Sequence, residues 1–409
     1  MRRKFVNVAA LIVMAFTFPT HVKAADDILI GLHGPLTGPA SWIGLGGRDG
    51  ALLALDEINA AGGIHGRKLK LVAYDDANNP SEAETVTKKM IDGDKVFAIL
   101  GAGASNTAVV VAQEAMRAKV PYLNCSAASP KIIDSKSRWV LSAGTIDVRD
   151  ISENEAAFIA KHLRVKNYAL LHSADEFSQT YTDALIKILK EKYDINILSR
   201  EKYNRGDTDF SSQIISTRRS DPELLLLSGP YIENARIIRQ ARELGIKIPI
   251  KGDTSSMNSG LLTIAGRAAE GAFVSYALPY FNGDPDPNMV KFEIRYKHAY
   301  PGYPADRPNY VDVYLYGCMY ALAEGLKLAG PNLTPKGFIE AMETLDNFNA
   351  SDGWPQAVNV IQPTTFTMSH SGNRKMSHFV VKNGAFTRVI DFVAPPSSTA
   401  FPANNTLEW

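Results

Sequence analysis

The chain has 409 residues, 45% of them hydrophobic and 21% charged, with 44 basic and 43 acidic side chains and a formal net charge of +1. These proportions exclude a long disordered chain and a polytopic membrane protein, and the length points to two or three domains, or one with insertions. Near-neutrality leaves no electrostatic footprint for nucleic acid, and two cysteines, Cys125 and Cys318, are too few for a zinc ribbon or a disulfide-rich scaffold.

The chain opens on Arg2-Arg3-Lys4, continues with an apolar run over 8–18 and reaches small residues at Ala24-Ala25, the three parts of a secretory signal peptide. The run is too short for a permanent span, which needs about 20 residues. Cleavage after Ala24 removes Arg2, Arg3, Lys4 and Lys23 and no acid, taking the net charge from +1 to −3. No cysteine stands at the cut to carry a lipid. A periplasmic, mildly acidic protein is expected. Export permits a disulfide, but the sequence does not say whether Cys125 and Cys318 pair; two buried free thiols is the simpler reading.

Beyond the leader, apolar runs of strand length alternate with amphipathic runs of helix length. Strands are expected at 28–32, 68–74, 96–100 and 121–123, and helices at 50–59, 80–90 and 106–118. The helix over 50–59 follows a glycine-rich loop and stops at Ala61-Gly62-Gly63. After Gly144 the pattern restarts, with helices at 152–162, 179–193, 210–219 and 232–244 and strands at 168–171, 195–200, 224–227, 248–250 and 271–276. Such alternation builds an α/β fold of doubly wound parallel sheets covered by helices. The two runs, 26–145 and 146–276, are each long enough for a core of their own. The last third differs: helices at 287–300 and 312–328, then antiparallel hairpin strands over 363–367 and 377–392, with Asn383-Gly384 at a turn. The tail, 394–409, reads as flexible.

Enzyme signatures are absent from this sequence. The eight histidines form no His-Glu-x-x-His, and there is no Gly-x-Ser-x-Gly elbow and no phosphate loop. Gly101-Ala102-Gly103 lies between a strand and a helix as a dinucleotide loop does, but Asn106 stands where the third glycine belongs. The loop suits an anion better. A helix N-terminus offers free N–H groups and the positive end of a dipole, with Ser105 as an added hydroxyl. Ser105 or Asn106 capping that helix is compatible with the same use. A second small polar loop, Cys125-Ser126-Ala127-Ala128-Ser129-Pro130, follows the next strand. The matching loops of the second run are Asp175-Glu176-Phe177, Gly229-Pro230-Tyr231 and Asp253-Thr254-Ser255-Ser256. In open α/β sheets ligands sit beyond the carboxyl ends of the strands, so two facing sheets would enclose a small ligand between these loops. Trp42, Phe177 and Tyr231 fall on loops in this reading and would wall it.

Three stretches in combination carry a resemblance. They are Gly34-Pro35-Leu36-Thr37-Gly38-Pro39, then Leu55-Asp56-Glu57-Ile58-Asn59-Ala60-Ala61-Gly62-Gly63-Ile64-His65-Gly66-Arg67-Lys68-Leu69, then Tyr74-Asp75-Asp76. Ile238-Arg239-Gln240-Ala241-Arg242 and Ile264-Ala265-Gly266-Arg267-Ala268-Ala269-Glu270-Gly271 continue it. The chain resembles the leucine/isoleucine/valine-type periplasmic substrate-binding proteins of ABC transporters, which have the type I periplasmic binding protein fold. The resemblance implies two α/β lobes joined by three hinge crossings, placed near 145, 277 and 352. Lobe 1 would comprise 25–145 and 277–352, and lobe 2 would comprise 146–276 and 353–393. It implies a non-enzymatic receptor that holds a small carboxylate in the cleft and serves an inner-membrane permease as a monomer, without cofactor or metal.

By the same resemblance Ser105 holds the ligand carboxylate, with Asn106 beside it, and Ser126 and Ala128 add backbone contacts. Ala128 stands where leucine binders carry threonine, and Phe177 where they carry tyrosine. Another tyrosine falls on Pro230, with Tyr231 one step away. The acid that pairs with an amino acid's ammonium falls on Thr254, with Asp253 adjacent. Thr254 cannot neutralise a buried ammonium, whose burial unpaired costs several kcal/mol. An aromatic or other non-amino organic acid is therefore expected, sandwiched by Trp42 and Phe177. The alternatives are a hydrophobic amino acid with Asp253 as its partner, another solute such as an amide, urea or polyamine, and a periplasmic sensor that reports to a signalling protein. A hydrolase using Ser105 or Ser126 is a further rival with no Ser/His arrangement behind it.

Overall fold

The computed structural model describes residues 26–133, 137–143, 146–276, 286–303, 307–361, 363 and 376–393. The expected leader and tail, most of the 363–367 strand and the crossings near 145 and 277 lie outside the described residues.

The first sheet contains β1 (Ile28–Gly34), β2 (Leu69–Asp75), β3 (Ala98–Gly101), β4 (Tyr122–Asn124) and β5 (Val140–Ser142), all parallel, in the order β2-β1-β3-β4-β5. Its connections carry α1 (Ser41–Ala60), α2 (Pro80–Lys88), α3 (Ser105–Ala118) and α4 (Pro130–Ile133). The second sheet contains β6 (Asn167–Ser173), β7 (Asn196–Tyr203), β8 (Leu225–Ser228), β9 (Ile250–Gly252), β10 (Phe273–Tyr276), β11 (Met376–Lys382) and β12 (Ala385–Val393). Its order is β12-β11-β10-β9-β8-β6-β7, parallel from β7 to β10 and closed by the antiparallel pair β11–β12. Between its strands lie α5 (Val148–Phe158), α6 (Glu176–Tyr193), α7 (Ser211–Arg219), α8 (Tyr231–Glu243) and α9 (Ser259–Ala265). Central strands such as β3 and β8 are buried along their whole length and so read as unbroken apolar runs. The edge strand β7 alternates exposed and half-buried residues until it ends at buried Tyr203.

The last third supplies α10 (Pro287–Ala299), α11 (Tyr310–Leu328), α12 (Pro335–Met342) and α13 (Ala350–Gly353). Here α11 packs along α1 beside the first sheet. Val358 N–H donates to Tyr316 Oη at 3.3 Å, and Ile361 packs over Gly317. The chain is thus still on the first sheet's helices at 361, past the crossing expected near 352, and β11 then joins the second sheet. Among the described residues no helix is long and apolar enough to cross a membrane.

Two local readings are corrected here. The glycine-rich stretch before residue 50 is helix, since α1 starts at Ser41 and runs for 20 residues. A mid-helix glycine costs about 1 kcal/mol relative to alanine, so local propensity argues for a loop. Tertiary packing overrides it. A Cβ on Gly50 would sit 1.9 Å from the Asp312 carbonyl oxygen, and one on Gly47 2.3 Å from Ala102 Cβ. The second correction concerns the cysteines, which are not free thiols. Cys125, just after β4, is disulfide-bonded to Cys318 in α11 with Cα atoms 6.2 Å apart.

Candidate ligand-binding site

Among the described residues six helices begin around one cavity of about 80 Å³ between the two sheets: α1, α3, α5, α6, α8 and α11. A water needs roughly 10–15 Å³ on this measure, so the space holds a molecule the size of several waters and not a long chain. The starts of α1, α3 and α8 carry no side-chain cap, so their first N–H groups and partial positive charge favour an anion, whereas Asp175 and Asn309 already cap α6 and α11.

On the first sheet's side, Ser105 is the first residue of α3, and Ala104 is the N-cap without a side-chain bond, so neither Ser105 nor Asn106 caps the helix. The Ser105 side chain is 3% exposed. Asn106 Nδ2 donates to Asn78 O at 3.0 Å, while its Oδ1 is buried without a partner among the described residues. Ser126 donates its hydroxyl back to the carbonyls of Gly101 (3.2 Å) and Gly103 (2.7 Å), so it ties the two ligand loops together. Asn124 Oδ1 takes the Ala127 N–H, and Asn124 Nδ2 donates to Ala127 O. The disulfide anchors the residue directly before this turn. Ala127 and Ala128 line the cavity with methyl groups and backbone.

On the second sheet's side, Asp175 caps α6 by accepting Ser178 N–H at 2.9 Å. Phe177 and Ser178 follow in its first turn, and the Phe177 ring stacks on Tyr181 at 5.9 Å. Pro230 and Thr254 complete this side, with Tyr276 below them. Trp42, Phe177 and Tyr231, expected on loops, all sit in the first turns of helices: α1, α6 and α8. The reason is common to all three, because each parallel strand is followed by a helix whose start lies at the strand's carboxyl end.

Seven of the nine expected residues line the cavity: Trp42, Ser105, Asn106, Ser126, Ala128, Phe177 and Thr254. Tyr231 does not. It packs edge-on behind Trp42, with ring centroids 5.2 Å apart. Asp253 does not either. Its carboxylate is fully buried and accepts from Ser228 Oγ (2.9 Å), Gly229 N–H (3.0 Å) and Ser255 N–H (3.1 Å), clamping the 229 and 254 loops from beneath. Burial pushes its pKa up to about 7. A carboxylate saturated in this way has no lone pair turned to an ammonium, which removes Asp253 as that partner.

Sequence reasoning missed Arg205, Ser178, Tyr276, Tyr310 and Tyr314, which also line the cavity. Arg205 lies just past the end of β7, in a polar stretch carrying no motif. Tyr310 and Tyr314 open α11, which comes to the site from far along the chain.

The two halves touch around the cavity. Val148 N–H donates to Ala128 O at 3.0 Å. Ser129 Oγ donates to Glu176 at 3.1 Å, and Lys131 Nζ pairs with the same carboxylate at 3.0 Å. The rings of Tyr276 and Tyr310 meet at 5.7 Å. Ser105 has no histidine partner among the described residues: His33, beneath the 103 loop, is engaged by Asp76 and Tyr122 at 3.0 Å each.

A profile of the periplasmic binding protein family matches residues 27–385. The chain belongs to that family. It is 28% identical over 327 residues to the leucine-, isoleucine-, valine-, threonine- and alanine-binding protein of Pseudomonas aeruginosa, covering 80% of this chain and 84% of that one. Among solved structures, the branched-chain amino acid transporter substrate-binding protein of Streptococcus pneumoniae, in complex with isoleucine, superposes with a TM-score of 0.77 at 22% identity, covering 90% of this chain and all of that one. The fatty acid ABC transporter substrate-binding protein of Thermomonospora curvata has a TM-score of 0.77 at 21% identity, over 90% of this chain and 92% of that one. The relative is thus named as an amino-acid-binding protein, and the two structural neighbours as substrate-binding proteins of transporters. The periplasmic binding protein fold is common to neighbours named for quite different solutes.

Proposed function

We propose that this periplasmic binding protein is the exported solute receptor of an ABC importer of the branched-chain amino acid type, and that it takes a small organic acid without an ammonium group. The observation that supports this reading is the make-up of the cavity wall. Helix starts and unpaired donors surround it, and Asp175, the acid that lines it, is occupied by Ser178 N–H and faced by Arg205. An ammonium placed there meets a neighbouring guanidinium of like charge, whereas a carboxylate meets complementary dipoles. Ser105 and the N–H groups at the start of α3 hold the carboxylate, Trp42 and Phe177 flank the apolar body, and Thr254 faces the distal end.

Ligand binding bridges the two halves, so it favours the closed arrangement that the permease meets; the three crossings act as the hinge. The receptor does no chemistry on its ligand and acts as a monomer. A pull-down that recovers a sensor kinase and no permease would reassign it to signalling.

The test is a thermal-shift panel on the mature protein, with leucine, isoleucine, valine and phenylalanine beside benzoate, 4-hydroxybenzoate and cinnamate. Ligand at about 100 times its Kd adds roughly 2.7 kcal/mol. A shift with the ring acids and none with the amino acids is expected. The names of the relatives favour a second reading, a hydrophobic amino acid receptor. It predicts the reverse pattern and requires Asp175 to exchange Arg205 for the ligand ammonium.

A further inference from the structure

The cavity wall holds more unpaired hydrogen-bonding groups than one carboxylate can use. Trp42 Nε1, Asn106 Oδ1, Ser178 Oγ, Tyr276 Oη and Arg205 Nε and Nη1 are all buried without a partner among the described residues, and all six atoms belong to residues that line the cavity. Buried polar groups are normally satisfied, so a cluster of orphans around one cavity marks the groups a ligand completes. Trp42, Ser178 and Tyr276 are each more than nine-tenths buried, so bulk water does not satisfy them.

The chemistry of the set is asymmetric. Trp42 Nε1 and both Arg205 nitrogens can only donate, Ser178 and Tyr276 can do either, and Asn106 Oδ1 alone can only accept. A ligand that completes this set is rich in acceptors. The donors also lie in two groups. The start of α3 with Ser105 belongs to the first sheet. Arg205, Ser178 and Tyr276 belong to elements of the second. Arg205 is the cation of the second group, and its contact to Asp175 is long, 3.4 Å through Nη2. A guanidinium held by one long bond, with two further nitrogens buried and idle, is a preformed receptor for a carboxylate.

We propose that Arg205 reads a second acidic group on the ligand, so that the cavity's occupant is a small dicarboxylate bridging the two sheets. The inference rests on the organic-acid reading above and narrows it. One acid group lies against the start of α3 and the other against Arg205, with Ser178 and Tyr276 as its neighbours. Closure then joins two donor clusters through one dianion, which neither half completes alone.

The test is calorimetric titration of the mature protein with a matched pair of acids, benzoate and terephthalate, and with leucine. The native protein is expected to bind terephthalate at least about tenfold more tightly than benzoate. In Arg205→Gln the ratio of the two affinities should fall to near one, and Arg205→Lys should restore part of it. A purely structural role for Arg205 would lower both affinities together and leave the ratio intact. Equal affinity for the two acids in the native protein, or a ratio unmoved in Arg205→Gln, overturns the inference and leaves the organic-acid reading standing. Binding of leucine with neither acid overturns both. The native ratio needs no variant, so the test survives if Arg205→Gln fails to fold.

Discussion

The two sides of the cavity are built on different principles. At its 103 and 127 loops, beside the rings that α1 and α11 contribute, the first sheet's side is a backbone surface: Ser126, Asn124 and the disulfide spend their bonding on the loops themselves, so that N–H groups and methyls face inward. The second sheet's side is a side-chain surface of Arg205, Phe177, Ser178 and Tyr276, on loops clamped from beneath by Asp253. A backbone surface suits what every ligand of a transporter class shares, such as a carboxylate. A side-chain surface can be rewritten one residue at a time. The departures that the resemblance to leucine binders implies agree: one of them, Ala128, falls on the first side, and three, at 177, 230 and 254, on the second.

That contrast can be broken at several points. The largest effect is expected from the covalent tie of the first side. Replacing both cysteines by serine should cost about 2–5 kcal/mol, because the disulfide spans a sequence separation of 193 residues; urea unfolding of the mature protein reads it. An unchanged midpoint would mean that packing of α11 on α1 suffices alone. Next, Ser105→Ala should weaken binding of the ring acids by about ten- to a hundredfold, the worth of a hydrogen bond to a charged group, about 1.5–3 kcal/mol. Calorimetry checks this, and an unchanged Kd would move the carboxylate off α3.

A smaller effect concerns the clamp under the second side. The folded-state pKa of Asp253, about 7, lies above the unfolded value near 3.8. Its contribution to stability is therefore fully present below about pH 4 and is lost as pH rises toward 7. Asp253→Asn should cost about 1–2 kcal/mol through its misplaced donors and should flatten that part of the pH–stability curve. The same slope in the variant would assign the titration to another group. The smallest effect is expected at the bridge between the sides. Glu176→Gln removes the partner of Lys131, an exposed pair worth at most about 1 kcal/mol, so affinity should fall no more than about fivefold. A larger loss in a salt-dependent titration would make this pair a principal latch.

What was legible in the sequence followed from burial. Parallel strands covered on both faces leave unbroken apolar runs, so strands are expected at 96–100 and 224–227 and stand at 98–101 and 225–228, with loops at their ends that line the cavity. Ser105 and Ser126 are singled out because they stand at such ends, and both line the cavity. Features set by long-range approach were not legible. The glycines of α1 report the proximity of Asp312 and Ala102, not a local turn. The disulfide joins residues whose neighbourhood exists only after α11 folds back. Arg205 follows an edge strand in a stretch of charged and polar residues, where one cation among many carries no mark of its own. Asp253 drew notice for its charge, yet its neighbours Ser228, Gly229 and Ser255 consume that charge internally.

The path of α11 has a consequence for biogenesis. The helix that covers the glycine face of α1 is synthesised after every strand of the second sheet except β11 and β12. A chain that stops after β10 therefore carries a nearly finished second half and a first half whose seam lies open to water, with Cys125 still unpaired. Completion of the ligand site, whose wall includes Tyr310 and Tyr314, coincides with sealing that seam. Truncated products are thereby denied both a stable first half and a working receptor site by the same missing segment.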